Sequence, residues 1–174
     1  AKEGALVVVN DLGGSVEGVG GSREPAASVV EEIRDVGGVA IANYDSVSDY
    51  VGAGAIISAA MDTYGRVDIL CNAAGILRDR MVFNMTETEW DQVLRVHLSG
   101  TFNVVRHCVP IMMKQKYGRI ALFSSVSGLG SIGQTNYTSA KEGIVGFTRS
   151  LASELSGYGI TTVSYTHLRA HETR

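Results

Sequence analysis

The sequence predicts an α/β protein with a doubly wound, Rossmann-like parallel sheet. Two observations predict this class. Short runs of apolar, β-branched residues alternate with longer stretches of helical period along the chain. The short runs are apolar throughout, which is typical of strands that a parallel sheet buries on both faces.

The predicted strands are four apolar runs, at residues 5–10, 39–42, 67–71 and 119–123. A first helix begins at Pro25, because proline suits the first turn of a helix, and it stops before Gly37. A second helix is expected to begin after a cap at Ser46 or Ser48 and to close near Gly65. This order places each helix between two strands.

Two longer helices complete the pattern. Thr86 is followed three residues later by Glu89, a capping box that predicts a helix over residues 87–116. Pro110 lies inside that stretch, so a bend is expected there. The last helix covers about residues 136–156. Alternation of strand and helix predicts parallel strands joined by right-handed crossovers.

Composition narrows the functional classes. Fifteen basic and 18 acidic residues give a net charge of -3, and no basic stripe is present, so the expected partner is a small molecule rather than nucleic acid. Two cysteines are too few for a disulfide framework. No apolar stretch approaches the length that crosses a bilayer. The protein is therefore expected to be cytoplasmic and not membrane-bound.

The C-terminal segment breaks the pattern. Another buried strand is expected there, yet residues 163–174 are polar and charged without a period. We interpret the chain as a domain over residues 1–162 followed by a foreign tail over 163–174, which resembles the read-through of a sequencing adapter. His167 and His171 have metal-ligand spacing but fall in this tail, so no metal site is expected.

The main chemical motif is Tyr137 with Lys141, four residues apart and therefore on one helix face. A phenol is a poor base at neutral pH unless a nearby ammonium stabilises the phenolate, and Lys141 supplies that charge. Ser125 ends a predicted strand, where an open parallel sheet presents its ligands. Without further context, Tyr137 and Lys141 are more simply interpreted as two solvent-exposed side chains on a helix surface. Together with Ser125 they indicate a site for proton transfer to a substrate oxygen.

Two other strand ends carry signals for a cofactor. Asn72, Ala73, Ala74 and Gly75 follow the third predicted strand, and small residues there let a flat cofactor approach the backbone; a plain turn is the alternative. Asp11 ends the first predicted strand, where an acid can bind the ribose hydroxyls of NAD and repel the extra phosphate of NADP. A helix cap or a solvated acid is the alternative there.

These motifs, together with NYTSAK from Asn136 and the strand order, resemble the short-chain dehydrogenase/reductase family over residues 1–162. The segments NDLGG, NYDSV, GILRDRM, VHLSGTF and GQTNY resemble its (3R)-hydroxyacyl-CoA dehydrogenase branch. The resemblance implies an NAD-dependent oxidoreductase that moves hydride between NAD and a secondary alcohol or ketone, with a 3-hydroxyacyl thioester as substrate. The alternatives are a 3-oxoacyl reductase or a steroid or polyol dehydrogenase of this family, and a non-catalytic NAD-binding protein.

The resemblance also implies roles for individual residues. Tyr137 would be the general acid and base, Lys141 would promote its ionisation and hold the ribose, and Ser125 would orient the substrate. Asp11 would bind the adenosine ribose and Asp45 the adenine amine. The cofactor would be lined by Asn72, Ala73 and Gly75, together with Tyr137 and Lys141.

Two positions depart from the family pattern. His97 stands where most of the family has a catalytic asparagine, so a proton-relay role and a buried structural role are both open. The stretch between Ser125 and Tyr137 is one residue short, so counting back from Tyr137 selects Ser124, whereas strand alignment selects Ser125. Adjacent strand residues face opposite ways, so only one of the two serines can serve.

The glycine-rich segment after the first predicted strand is a third departure. Gly14, Gly18 and Gly20 spell a phosphate-loop pattern, but the fourteen residues from Asp11 to Glu24 exceed a usual strand-to-helix turn, so we interpret the pattern as a decoy. The family's first strand and phosphate loop are expected upstream of residue 1, and its C-terminal strands are expected to be missing. We expect this fragment to be inactive and the intact protein to be a homodimer or homotetramer.

Overall fold

The structure, a computed structural model, describes residues 1–166, and within them strand and helix alternate except that two helices are consecutive. The strands are β1 (Leu6–Asn10), β2 (Val39–Asn43), β3 (Ile69–Asn72), β4 (Gly118–Phe123) and β5 (Ile160–Tyr165). The α-helices are α1 (Glu24–Asp35), α2 (Tyr50–Tyr64), α3 (Glu87–Leu94), α4 (Gly100–Gln115) and α5 (Thr135–Leu155). The predicted α/β class is confirmed.

All strand pairs in the described residues are parallel, and they form two sheets. One sheet has the order β1-β2 and the other the order β3-β4-β5. The prediction of strands buried on both faces holds for one face of β4, where Ile120 and Leu122 are buried, whereas Arg119 on its other face is exposed. It is wrong for β1, where Leu6 is 55% exposed. The faces of a parallel sheet are buried by packed helices, and the helices around the two-stranded sheet leave Leu6 accessible.

The hydrophobic core lies where helices α4 and α5 pack against the larger sheet and α2 packs against α4. Burial of these apolar side chains is the main favourable contribution to folding. Within residues 1–166, no helix is long and apolar enough to cross a membrane. Residues at the centre of this core include Ile56, Leu70, Val104, Met112, Ile120, Leu122 and Ile144.

The cap of α2 differs from the sequence prediction. Asp49, rather than Ser46 or Ser48, is the N-cap, and its Oδ2 accepts a hydrogen bond from the amide of Gly52 at 2.6 Å. The two serine hydroxyls lie 2.8 Å apart and bond to each other. Serine and aspartate are both good caps, so only the path of the chain decides which one is used.

The long helix predicted over residues 87–116 begins as expected, with the capping box of Thr86 and Glu89. It is interrupted by a π-helical turn at Arg95–Ser99, which separates α3 from α4. Pro110 lies inside α4, so the irregularity occurs about three to four turns before the predicted position. π-helical turns often occur at functional sites, and this one contains His97.

Strand β5 runs across the domain boundary that the sequence predicts after residue 162. β5 continues to Tyr165 and pairs with β4, with Val163 opposite Ala121 and Tyr165 opposite Phe123. Backbone pairing needs no apolar side chain at each position, and the rings of Tyr165 and Phe123 lie 5.9 Å apart. Residues 163–165 therefore belong to a strand, and the interpretation of residues 163–174 as a foreign tail stays a prediction. His167 lies outside the described residues, as does His171.

Candidate active site at the carboxyl ends of the strands

Lys141 connects the end of β4 to the first turns of α5. Its side chain is almost fully buried, and Nζ donates a hydrogen bond to the carbonyl oxygen of Phe123 at 2.7 Å. The same Nζ lies 5.5 Å from the centre of the Tyr137 ring. The structure thus brings together the tyrosine, the lysine and the strand end that the sequence analysis connected.

Burial lowers the pKa of Lys141 to about 8. An ammonium that loses water is less stable, so its proton is released more easily. Because this value is still above 7, the amine remains mostly protonated at neutral pH. A positive charge is therefore held beside the phenol ring of Tyr137.

The two neighbouring serines after β4 have different partners. Ser124 Oγ donates to the backbone carbonyl of Lys141 at 2.8 Å and so faces α5. Ser125 Oγ accepts a hydrogen bond from the amide of Ser127 at 3.1 Å, as the cap of a short 3₁₀ turn. An oxygen that accepts at this contact keeps its own proton for another acceptor, whereas the Ser124 proton is already engaged.

His97 is buried between the segment after β3 and the Tyr137 ring. Its Nε2 lies 3.0 Å from the amide nitrogen and 2.8 Å from the carbonyl oxygen of Ile76. The imidazole meets the Tyr137 ring edge-on, with ring centres 5.1 Å apart and planes at 88°. Nδ1 is buried and has no hydrogen-bond partner among residues 1–166.

Burial is the main reason why the pKa of His97 is lowered to about 4; the charge of Lys141 lowers it further, and the hydrogen bond to Ile76 opposes the shift. A histidine with this pKa is neutral at pH 7. Of the two roles left open by the sequence, the geometry favours a neutral ring that packs against Tyr137.

Asn72 and the small residues after it form the carboxyl end of β3. The Asn72 side chain is buried, and its Nδ2 donates to Thr101 Oγ1 at 2.9 Å. This side chain therefore fixes β3 to α4. Ala73 and Gly75 are exposed, as residues that line a cofactor would be.

Asp11 and Asp45 follow the paired strands β1 and β2, and both are exposed. Asp11 Oδ1 accepts from the amide of Gly13 at 2.7 Å, so it also closes a local turn. Asp45 Oδ2 accepts from Asn43 Nδ2 at 2.8 Å. Two carboxylates at this edge are suitable acceptors for the ribose hydroxyls and the amine of an adenosine, so the residues fit that part of NAD.

The glycine-rich segment makes its hydrogen bonds largely with itself. The amide of Gly18 donates to the Ser15 carbonyl at 2.8 Å, and the amide of Ser15 donates to the Val19 carbonyl at 2.9 Å. The carbonyl of Val16 accepts from the amide of Leu77 at 2.9 Å, which joins this segment to the chain after β3. A phosphate loop instead directs its amides at the ligand, so this arrangement favours the interpretation as a decoy.

In the sequence, Asn136 belongs to the NYTSAK motif, which predicts no separate role for it. In the structure its side chain is completely buried and contacts three separate segments of the site. The available signal was an asparagine directly before the tyrosine at a helix start, which is too common a feature to single out.

Comparison with known proteins identifies the family. Residues 5–167 match the short chain dehydrogenase family, a span that includes β5. The chain therefore belongs to the short-chain dehydrogenase/reductase family of oxidoreductases, as the sequence motifs predicted.

Three individual members of the family are similar to this chain in sequence or structure. The chain is 49% identical over 155 residues to the peroxisomal multifunctional enzyme type 2 of Mus musculus, covering 88% of this chain and 21% of that protein. It is 40% identical over 162 residues to a 3-oxoacyl-[acyl-carrier-protein] reductase of Staphylococcus aureus, covering 92% and 63%. A crystal structure of a short chain dehydrogenase from Mycobacterium avium matches with a TM-score of 0.85 and 43% identity, covering 95% and 61%. The chain thus spans less than two thirds of the length of each.

Proposed function

We propose that the whole protein is an NAD-dependent oxidoreductase that transfers hydride between NAD and a secondary alcohol or ketone. The observation that carries the proposal is the position of Lys141, whose Nζ lies 2.7 Å from the carbonyl oxygen of Phe123 and 5.5 Å from the Tyr137 ring. This contact supports a site in which tyrosine, lysine and the serine at the end of β4 act on one substrate oxygen. An NAD-binding protein without catalysis could use Lys141 for the ribose, but it would not need a tyrosine and a serine that act on one substrate oxygen.

The proton chemistry follows from these side chains. In alcohol oxidation Tyr137 would take the proton of the substrate hydroxyl, and in ketone reduction it would return that proton. The Lys141 ammonium would stabilise the ionised phenol, and the Ser125 hydroxyl would donate to the substrate oxygen. Bound NAD would accept or supply the hydride.

Preference for NAD over NADP is proposed from Asp11. Its carboxylate is exposed at the end of β1, where it would accept from ribose hydroxyls and repel a ribose phosphate. Asp45, at the end of the neighbouring strand β2, would accept from the adenine amine. The paired register of these strands, with Asn10 opposite Asn43, supports a shared adenosine site.

A 3-hydroxyacyl thioester is the proposed substrate because exposed apolar side chains lie on the two segments that follow β3 and β4. We call this surface the apolar rim. The chain segments that carry it are joined by a hydrogen bond from the Arg80 amide to the Gly133 carbonyl at 2.7 Å. Exposed apolar side chains suit an acyl chain better than a polyol. The rim comprises Met81, Val82, Phe83, Leu129 and Ile132, of which Leu129 and Ile132 are about nine-tenths exposed.

A 3-oxoacyl reductase is the second candidate, because the name of the Staphylococcus aureus relative states that activity. The two candidates share the site and differ in the thioester carrier and in the direction of the reaction. A homodimer or homotetramer and a cytoplasmic location also remain proposals for the intact protein.

The test is a set of initial rates of the whole protein with a 3-hydroxyacyl-CoA, a 3-oxoacyl thioester on acyl carrier protein, a hydroxysteroid and a polyol, each with NAD(H) and NADP(H). The highest kcat/KM is expected for the 3-hydroxyacyl-CoA with NAD. Higher values for the steroid or polyol would refute the substrate class. Equal or better efficiency with NADP would refute the assignment of Asp11, and Asp11→Ser is the matched variant, expected to lose the preference for NAD.

A further inference from the structure

The carboxamide of Asn136 is one of the most completely buried polar groups in the described chain, with no exposed side-chain surface. Its Nδ2 donates to the carbonyl of Arg78 at 3.0 Å and to the carbonyl of Glu89 at 3.2 Å. Its Oδ1 accepts from the amide of Tyr137 at 2.7 Å. One side chain thus contacts the segment after β3, helix α3 and the backbone of Tyr137.

The contact with Tyr137 serves an end of a helix that otherwise has no side-chain cap. The N-cap position of α5 is Gln134, whose side chain makes no capping hydrogen bond. The first amides of a helix have no partner within the helix, and the Tyr137 amide is one of them. Asn136 provides an acceptor for this amide and thereby holds the backbone of Tyr137.

The other contacts tie the same helix end to the loop that carries Arg78. Gln134 Nε2 donates to Asp79 Oδ2 at 2.7 Å, and the Arg80 amide donates to the Gly133 carbonyl. Asn136 is the most deeply buried of these residues, and its two donated bonds are partly buried. A hydrogen bond that is partly removed from water is electrostatically stronger than an exposed one.

We propose that Asn136 is a positioning residue for Tyr137: it fixes the start of α5 so that the phenol stands at the distance from Lys141 and from the substrate that proton transfer requires. The inference rests on the proposed role of Tyr137. It goes further by assigning the placement of that tyrosine to a residue that touches neither substrate nor cofactor. A displacement of about 1 Å at a reacting group is enough to lower turnover by up to about a hundredfold.

The competing explanation is that Asn136 only stabilises the fold. Asn103 is a suitable control, since it is also a buried asparagine, and its Nδ2 donates to the Val47 carbonyl at 2.9 Å. It lies on α4 and has no part in the site described above. Asn103→Ala therefore reports the effect of losing a buried amide by itself.

The experiment compares Asn136→Ala, Asn136→Ser and Asn103→Ala by two measurements. The first is NMR amide exchange of the 174-residue chain. In Asn136→Ala the Tyr137 amide is expected to exchange roughly tenfold faster relative to core amides, since one hydrogen bond is lost. In Asn136→Ser, whose hydroxyl can still accept from the Tyr137 amide, part of the protection should return. Asn103→Ala should change all amides in parallel.

The second measurement is steady-state kinetics of the whole protein. Asn136→Ala is expected to lower kcat by about tenfold to about a hundredfold with little change in KM for NAD. Asn103→Ala should leave kcat within about twofold. Unchanged relative exchange at Tyr137, or an unchanged kcat, would refute the positioning role. If Asn136→Ala does not fold, Asn136→Ser gives the same two readouts. An inactive wild type would refute the proposed function instead, and amide exchange would still test the contact.

Discussion

The imidazole of His97 packs directly against the backbone of Gly75, at a distance that leaves no room for a side chain there. A Cβ built on Gly75 would overlap Cε1 of His97 and lie 3.0 Å from its Nε2. The imidazole of His97 therefore requires a residue without a side chain at position 75. The same glycine was predicted from sequence as a residue that lines the cofactor, and the structure gives it a second reason to be small.

Gly75→Ala is expected to lower the free energy of unfolding by about 1–3 kcal/mol, the usual cost of overpacking a filled site. The double variant Gly75→Ala/His97→Asn should lose less than the sum of the single variants, because the smaller side chain makes room. Urea denaturation of all three chains measures this coupling. Gly146→Ala is the control: no atom lies within 4 Å of the new Cβ, so alanine in α5 should stabilise by roughly 0.5–1 kcal/mol. Additive losses would contradict the packing.

The buried neutral state of His97 should make stability depend on pH. The pKa of His97 is lowered from 6.5 to about 4 in the folded chain, so the unfolded chain binds the proton first as the pH falls. The contribution of neutral His97 to the free energy of unfolding is complete above about pH 6.5. It declines as the pH falls to about 4, by at most about 3 kcal/mol. Unfolding measured from pH 7 to 4 should show this decline in the wild type and less of it in His97→Asn. If the wild type and His97→Asn showed the same pH dependence, the lowered pKa of His97 would be refuted.

Lys141 should produce the corresponding effect at alkaline pH. Burial lowers its pKa from 10.5 to about 8, so between these values the unfolded chain is protonated while the folded chain is not. The free energy of unfolding should therefore rise from pH 8 to pH 10.5, by roughly 1–3 kcal/mol. Lys141→Met should lack the rise. Carbon-13 NMR of labelled lysine, with the resonance assigned through Lys141→Met, should show titration near pH 8; titration at 10.5 would refute it.

The two serines after β4 should respond differently to substitution. Ser125→Ala is expected to lower kcat of the whole protein by roughly a hundredfold, the usual effect of losing a donor to a reacting oxygen. Ser124→Ala removes the bond to the Lys141 carbonyl, so it should lower stability by about 1 kcal/mol and change kcat much less. Kinetics and urea denaturation of both variants settle the choice. The reverse pattern would assign the role to Ser124, as counting back from Tyr137 does.

Tyr137→Phe removes the proton carrier and keeps the ring that packs edge-on against His97. Turnover of the whole protein is expected to fall by at least about a hundredfold, as for a lost general acid or base. Thermal unfolding should change little, because the ring contacts remain. A variant with near-normal turnover would rule out the proposed proton transfer.

Much of the fold was predictable because it depends on local patterns. The apolar runs gave β1 to β4 within two residues of their observed ends, and the capping box of Thr86 and Glu89 gave the start of α3. Tyr137 and Lys141 were predictable as a pair because helical spacing alone places them on one face.

Long-range contacts decided the rest. β5 includes polar residues up to Tyr165 because pairing with β4 satisfies their backbone groups, which no local pattern signals. The burial of Lys141 and His97 depends on elements far apart in the chain, so neither lowered pKa could be inferred from sequence. Asn136 shows the same limit: its three partners lie 58, 47 and one residue away, and only the tertiary structure brings them to one carboxamide. The sequence by itself determined which side chains are candidates for the chemistry, because residue type and helical spacing are local. Their burial and mutual contacts arise only when distant segments pack together.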